Sequence, residues 1–199
     1  MITIVDYGSG NLCSIQKSVV RFYPNVIITK DSELIAKAKA IILPGVGAFG
    51  DAIKDIQQNE LFEILIEKID RVPTMGICLG MQLLFSQSQE SSGIRGLNII
   101  PGKVLSITNK SSKLIKVPHM GWNRLIPISE PSFYGYAYFN HSYYCSPDDK
   151  NIVICQVYHG KSIPVIVLKD RILGVQFHPE KSKKTGDTLI QYFISLMER

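Results

Sequence analysis

The sequence predicts an α/β fold: a doubly wound, mostly parallel central sheet with helices on both faces and an antiparallel extension in the C-terminal half. Through residues 2 to 84, short continuous apolar runs alternate with segments of helical period, the βαβα order that builds a parallel sheet with right-handed crossovers. Past Gln89 the runs become short, turn-separated and rich in β-branched and aromatic residues, the pattern of hairpins.

Ile2–Val5 is a continuous apolar run, read as a buried strand; it ends at DYGSGN (6–11), after which Leu12, Ile15, Val19 and Phe22 mark one face of a helix. The glycine-rich loop lacks the third glycine of a dinucleotide fingerprint, so it is read as the rim of the sheet, where Asn11 can meet a ligand or partner. Val26–Thr29 is the second strand, and Asp31-Ser32-Glu33 carries helix-capping chemistry ahead of a short Ala/Lys helix. Ala40–Leu43 is the third strand and ends at PGVGAFG (44–50). Three glycines in those seven residues suit a backbone that approaches something closely or exposes its N–H groups; an ordinary flexible turn is the alternative. Residues 51–69 are helical with a break near Gln58-Asn59, and 73–77 form the central strand. In the second half, strands are expected at 103–107, 136–139, 152–157, 163–168 and 172–177, extending the same sheet, and 185–197 is a final amphipathic helix.

The composition bounds the function. At 199 residues with 45% apolar content the chain can bury one sizeable core, and a single domain spanning 1–199 is expected. The net charge of +5, from 22 basic and 17 acidic residues, is spread along the chain except for KSKK (181–184). That cluster is read as a solvated loop or as a basic rim facing an acidic partner or phosphorylated ligand, and no nucleic-acid arm is expected. Cysteines at 13, 78, 145 and 155 form neither CxxC pairs nor a zinc spacing, so no metal, no cofactor and no disulfide framework are indicated. With four apolar residues before Asp6 and no run near 18, the chain is expected to be cytoplasmic, with no membrane span.

The chemistry gathers at PTMGICLGMQLLF (73–85), where an apolar strand stops and a helical pattern begins, with Cys78 at the joint. Gly76 and Gly80 flank it, as glycines flank the nucleophile of a strand-to-helix elbow. A cysteine at a helix N-terminus meets free N–H groups and a dipole that favour the thiolate. Read alone, it could equally be a small buried apolar residue closing a strand, so a nucleophile needs a base elsewhere. The strand 172–177 supplies one, running into His178-Pro179-Glu180. Proline holds the residue before it extended, and side chains two apart in an extended segment share a face. Glu180 can then fix the His178 tautomer and leave the other nitrogen to act as base, although a structural His-Pro-Glu corner is the competing reading. His159 reads as a turn residue, and neither His119 nor His141 has an acidic residue two positions away. Thiolate, base, orienting acid and a glycine-rich loop are the parts for acyl transfer through an oxyanion, with the Leu79 N–H one natural donor and the 44–47 loop a second.

Seven stretches in register resemble the class I (triad) glutamine amidotransferases: DYGSGNLCS (6–14), LPGVGAFGDA (43–52), MGICLGMQLLF (75–85), GLNIIPGKV (96–104), KVPHMGWN (116–123), YFNHSYY (138–144) and GVQFHPEKS (174–182). The resemblance is closest to glutaminase subunits that serve histidine biosynthesis. It implies that Cys78 attacks the amide carbon of glutamine and releases ammonia, that His178 moves the protons and Glu180 orients it, and that Val46 and Leu79 supply the oxyanion N–H groups. It implies that Gln82, Glu90 and the segments at Gly47, Ser142 and Tyr143 read the amino-acid end of L-glutamine. On the residues alone, Glu90 is equally a solvent-exposed acid at a helix end. The resemblance further implies a separate (β/α)₈-barrel cyclase partner, reached through a face of Asn11, Pro118, His119, Met120, Trp122 and Lys181, and a weak glutaminase until that partner is present. Asn140 stands where the family pattern has an apolar residue, and 147–161 is less typical. Paralogues feeding sugar-modifying synthetases for cell-surface glycans, or a stand-alone thiol hydrolase, therefore stand as alternatives.

Overall fold

The computed structural model describes residues 1–108 and 115–198. In chain order the first half runs β1 (Ile2–Val5), α1 (Leu12–Val20), β2 (Val26–Thr29), α2 (Ser32–Ala36), β3 (Ala40–Leu43), α3 (Phe49–Gln58), α4 (Phe62–Arg71), β4 (Thr74–Ile77) and α5 (Leu79–Leu83). The second half runs β5 (Phe85–Ser88), β6 (Ile100–Ser106), β7 (His119–Pro127), β8 (Gly135–His141), β9 (Tyr143–Pro147), β10 (Val153–Tyr158), β11 (Ser162–Lys169), β12 (Ile172–Val175) and α6 (Lys183–Ser195).

The main sheet has the order β2-β1-β3-β4-β12-β11-β10-β7-β8. From β2 to β12 the neighbours are parallel, and beyond β12 they are antiparallel. Strands β1, β3, β4 and β12 are buried at every position, as strands covered on both faces must be. Alternation divides their side chains between two cores. Ile42, Met75 and Ile77 point to the side of Ile15 and Val19 from α1 and Leu189 and Phe193 from α6. Ile41 and Leu43 point to the side of Ile35, Ile53 and Leu65 from α2, α3 and α4. The break expected near Gln58-Asn59 lies where α3 ends, with Glu60 at φ +58° turning the chain into α4.

Three expectations need correction. The run expected at 103–107 does not extend the main sheet; it belongs to β6, which with β5 and β9 forms a separate sheet of order β5-β6-β9. Strand β7 was not expected, because KVPHMGWN interrupts its apolar positions with Gly121 and polar residues, so no period-two pattern is visible. Helix α3 begins at Phe49, inside the glycine-rich segment, because its first N–H groups are capped from far along the chain: Phe49 N–H donates to Glu90 Oε2 at 2.7 Å and Gly50 N–H to Ser91 Oγ at 3.0 Å. Among the described residues no helix is long and apolar enough to cross a membrane.

Candidate active site

Cys78 stands between β4 and α5, at the carboxyl ends of the parallel strands, where ligands bind in open α/β sheets. Its N–H donates to the Val175 carbonyl at 2.7 Å, which pins the end of β4 to the end of β12. Its backbone has φ +52° and ψ −105°, a strained conformation for a residue with a side chain, costing on the order of 1–3 kcal/mol. The flanking glycines make the turn possible. A Cβ on Gly80 would lie 1.8 Å from the Leu43 carbonyl oxygen, and one on Gly76 would lie 2.7 Å from that of Gly80. Helix α5 is only five residues long, so the dipole expected to favour the thiolate is small, and the charge partner of the sulfur is an imidazole.

That imidazole is His178. Its backbone N–H donates to the Tyr138 carbonyl of β8 at 3.0 Å, and its own carbonyl accepts from Ser182 Oγ at 2.7 Å. Nδ1 lies 3.0 Å from Glu180 Oε1, and the ring hydrogen-bonds the Cys78 sulfur. The Glu180 side chain is 2% exposed, and its second oxygen is buried without a partner among the described residues. Burial opposes a charge on the ring, but the hydrogen bonds to the sulfur and to Glu180, and the negative charges behind them, outweigh it and raise the imidazole to about 9. The expected line of sulfur, imidazole and carboxylate is therefore assembled.

Beside the sulfur lies a cavity of about 280 Å³. Val46, Gly47 and Leu79 line one side of it, Gln82 and Glu90 another, and Ser142 and Tyr143 the mouth of the small sheet. Every residue that the sequence assigned to glutamine therefore faces this one cavity. The small sheet, which the sequence did not reveal, supplies its far wall: β9 begins at Tyr143, and the turn after β5 carries Glu90. The Glu90 carboxylate caps α3 through one oxygen, which fixes its position in the wall, so it is not a freely solvated acid.

The Val46 N–H is engaged elsewhere. It donates to Ser9 Oγ at 3.2 Å, and the Ser9 hydroxyl donates to the Val46 carbonyl. The β1–α1 loop thus grips the glycine-rich loop, with Tyr7 adding a hydrogen bond from its hydroxyl to the Pro44 carbonyl.

Of the residues assigned to a docking face, Met120 and Trp122 are 61% and 50% exposed on β7. The Lys181 ammonium lies over the Tyr138 ring and the Trp122 ring meets the same Tyr138 edge-on, so strand and turn form one surface. Asn11 is exposed and caps α1 through its side chain, and Pro118 lines the cavity. His119 departs from the expectation: it is 4% exposed, stacked between Phe139 and His159, and supports the face from beneath. His141 Nδ1 donates to the Tyr143 carbonyl at 2.7 Å, leaving Nε2 to accept from His119 Nδ1 at 2.9 Å. His119 Nε2 accepts from the Asn123 amide at 3.1 Å. Burial holds these rings down, His119 to about 4, with His159 adding to the effect, and His141 to about 3. Both are neutral at pH 7, which removes them as proton carriers for Cys78.

One residue at the sulfur was missed. Gln176 is fully buried and its Nε2 lies 3.7 Å from Cys78 Sγ. The period-two rule that pairs His178 with Glu180 also places Gln176 on their face when counted backward, and that was the signal available.

A strand-to-helix elbow bearing a cysteine, faced by histidine and glutamate from the neighbouring strand end, is an arrangement suited to thiol acyl transfer. The sequence model of the family "Glutamine amidotransferase class-I" matches residues 3–195, and the chain belongs to that family. Among its relatives, "Imidazole glycerol phosphate synthase subunit HisH" of Methanocaldococcus jannaschii is 44% identical over 205 residues, covering 99% of this chain and 100% of the relative. The protein of the same name from Geobacillus sp. strain WCH70 is 40% identical over 206 residues, covering 100% and 98%. Among solved structures, one described as "Crystal structure of glutamine amidotransferase" superposes with a TM-score of 0.80 at 16% identity, covering 100% of this chain and 99% of that one, which shows a shared fold.

Proposed function

We propose that the chain is the glutaminase subunit of an imidazole glycerol phosphate synthase, hydrolysing L-glutamine to L-glutamate and ammonia and delivering the ammonia to a separate cyclase subunit. The observation that carries this reading is the line of Cys78, His178 and Glu180, with the sulfur at a cavity whose walls hold Gln82, Glu90 and Tyr143. The full-length relatives that bear the HisH name supply the acceptor pathway.

The chemistry follows from the geometry. The Cys78 thiolate attacks the side-chain amide carbon, and the carbonyl oxygen takes up the negative charge against the Leu79 N–H. His178, protonated at neutral pH, gives its proton to the departing nitrogen as the C–N bond breaks. Ammonia leaves, and a glutamyl thioester remains on the sulfur. Water then attacks the thioester, His178 takes its proton, and the thiolate departs with glutamate. Glu180 keeps the imidazole aligned through both steps and stabilises its charged form. At the other end of the substrate, Glu90 faces the α-ammonium and the backbone at Ser142 and Tyr143 positions the rest.

Ammonia released into water is protonated and lost to the acceptor, so the site must be covered by the enzyme that consumes it. The exposed Met120 and Trp122 beside the cavity, with Lys181, suit a cyclase of (β/α)₈-barrel form, where ammonia would reach a phosphorylated ribulosyl intermediate to give imidazole glycerol phosphate and AICAR. A cytoplasmic setting follows from that pathway. The test is glutamate release from glutamine with and without a co-purified barrel cyclase. Activity on glutamine that rises with the cyclase and vanishes in Cys78→Ala, with the complex still forming, supports the proposal. Turnover that survives Cys78→Ala, or activity on peptides without response to the cyclase, ends it.

A further inference from the structure

We propose that Gln176 is a further catalytic residue, a second hydrogen-bond donor to the reacting sulfur that holds the thiolate ready and receives it again when the thioester is cleaved. The proposal rests on the reading of Cys78 as the nucleophile. Three observations support it. The Gln176 side chain is completely buried, and among the described residues its Nε2 has one hydrogen-bond partner, the Cys78 sulfur, at 3.7 Å. Its carbonyl oxygen is buried and has no hydrogen-bond partner among the described residues. A buried amide oxygen left unsatisfied is costly and rare, and here the cost accompanies an amide whose other end is aimed at the sulfur. The residue is also firmly mounted: its backbone N–H donates to the Val165 carbonyl at 2.9 Å, and Val175, just before it, accepts the Cys78 N–H at 2.7 Å. The strand end that fixes the cysteine backbone therefore also presents the amide to its sulfur.

The role differs from that of His178. An amide cannot exchange its proton with the sulfur, so it stabilises charge without moving any. In the resting enzyme its N–H points at the sulfur. While the sulfur is acylated the charge is gone and the bond weakens. When water has added to the thioester and the C–S bond breaks, the electron pair returns to the sulfur and the amide N–H meets it. A donor fixed there lowers the barrier to the departure of the thiolate, where His178 is occupied with the proton taken from water.

The test uses the full chain and iodoacetamide, a small amide that alkylates thiolates, with mass spectrometry of the peptide containing Cys78 so that the exposed Cys13 does not interfere. In Gln176→Leu and Gln176→Met the pH midpoint of Cys78 alkylation is expected to rise by about one unit, a tenfold smaller thiolate fraction below the midpoint. The glutamyl thioester, trapped by acid quench, should accumulate while kcat falls. A role confined to packing would lower the melting temperature and leave the midpoint in place, and an unchanged midpoint in either folded variant overturns the proposal. Should both variants fail to fold, wild-type protein labelled at glutamine nitrogen decides the matter: the Gln176 amide proton must shift when Cys78 is alkylated, and a fixed resonance overturns the proposal. None of these readouts except thioester trapping needs glutamine, so they can fail while the proposed function stands, and the reverse.

Discussion

Removing the Ser9 hydroxyl should awaken the isolated chain. Ser9 Oγ accepts from the Val46 N–H at 3.2 Å and donates to the Val46 carbonyl, so one hydroxyl holds both polar groups of the residue proposed as an oxyanion donor. A Val46 N–H so engaged is unavailable to a substrate carbonyl. A net intramolecular hydrogen bond contributes about 0.5–1.5 kcal/mol, and this loop is exposed, so the low end applies: about 1 kcal/mol for the pair, or roughly fivefold in the balance between held and released loop. An added oxyanion donor accelerates chemistry by about 10²–10³-fold, so the released state dominates turnover even as a minor species. In Ser9→Ala the partner-free kcat/KM for glutamine should therefore rise about fivefold. If docking of the proposed cyclase releases the loop, the variant and wild type should converge in the complex. The assay is coupled glutamate detection on both proteins, alone and in complex. If Ser9→Ala lowers partner-free activity, the hydroxyl is holding Val46 in its working position and the reasoning is wrong.

The pH behaviour of the histidines gives two further tests. The His178 imidazole is raised to about 9, so its charged form and the stability it contributes are fully present below its ordinary value near 6.5 and are lost as pH climbs through about 9. NMR titration of His178 should show a midpoint near 9 in wild type and a lower one in Glu180→Gln, with glutaminase kcat falling by on the order of 10²-fold or more in that variant; an unmoved midpoint would mean that the carboxylate does not hold the charge. His119 and His141 shift the other way, to about 4 and about 3, so protons bind the unfolded chain first and stability is lost as pH falls from about 6.5 toward 4. Denaturant midpoints measured from pH 7 to pH 4 should fall less steeply in His119→Phe, which keeps the stack on Phe139 and removes one titrating ring; equal slopes would exclude these rings as the acid-sensitive groups.

The sequence revealed the parallel half of the fold because each of its strands carries its own signal. Strands β1, β3 and β4 are buried on both faces and read as unbroken apolar runs, and the loops after them are marked by glycines. The antiparallel half was less legible, since β7 buries only His119 and Leu125 of its nine residues and exposes Met120, Trp122, Arg124 and Ile126. The small sheet was invisible for a different reason. Its partners β5, β6 and β9 are far apart in sequence, and β5 follows five helical residues without a turn signal. At the site, Cys78, His178 and Glu180 were readable from local rules of elbow and alternation. Gln176 carries no charge and follows an apolar strand, so apart from its place two before His178 nothing in its local sequence marks it as a partner of the sulfur. The grip of Ser9 on Val46 spans 37 residues and leaves no local trace.

Besides Pro118, which lines the cavity itself, the proposed docking face reaches the proposed chemistry through two short links. Tyr138 carries its ring between Trp122 and Lys181 on the surface, while its carbonyl accepts the His178 N–H at 3.0 Å and its N–H donates to Ser182 Oγ at 3.0 Å. Asn11 caps α1 two residues beyond Ser9, whose hydroxyl holds Val46. A partner seated on Trp122, Lys181 and Asn11 would therefore press on the backbone that mounts the base and on the loop that withholds an oxyanion donor. No relay through the core is required. The energy needed is also small, because the Ser9 contacts amount to about 1 kcal/mol, a fraction of what a few buried aromatic contacts at an interface supply. On the proposed docking face, activation by docking would need only the release of a loop held by about 1 kcal/mol, from an anchor two residues away from Asn11.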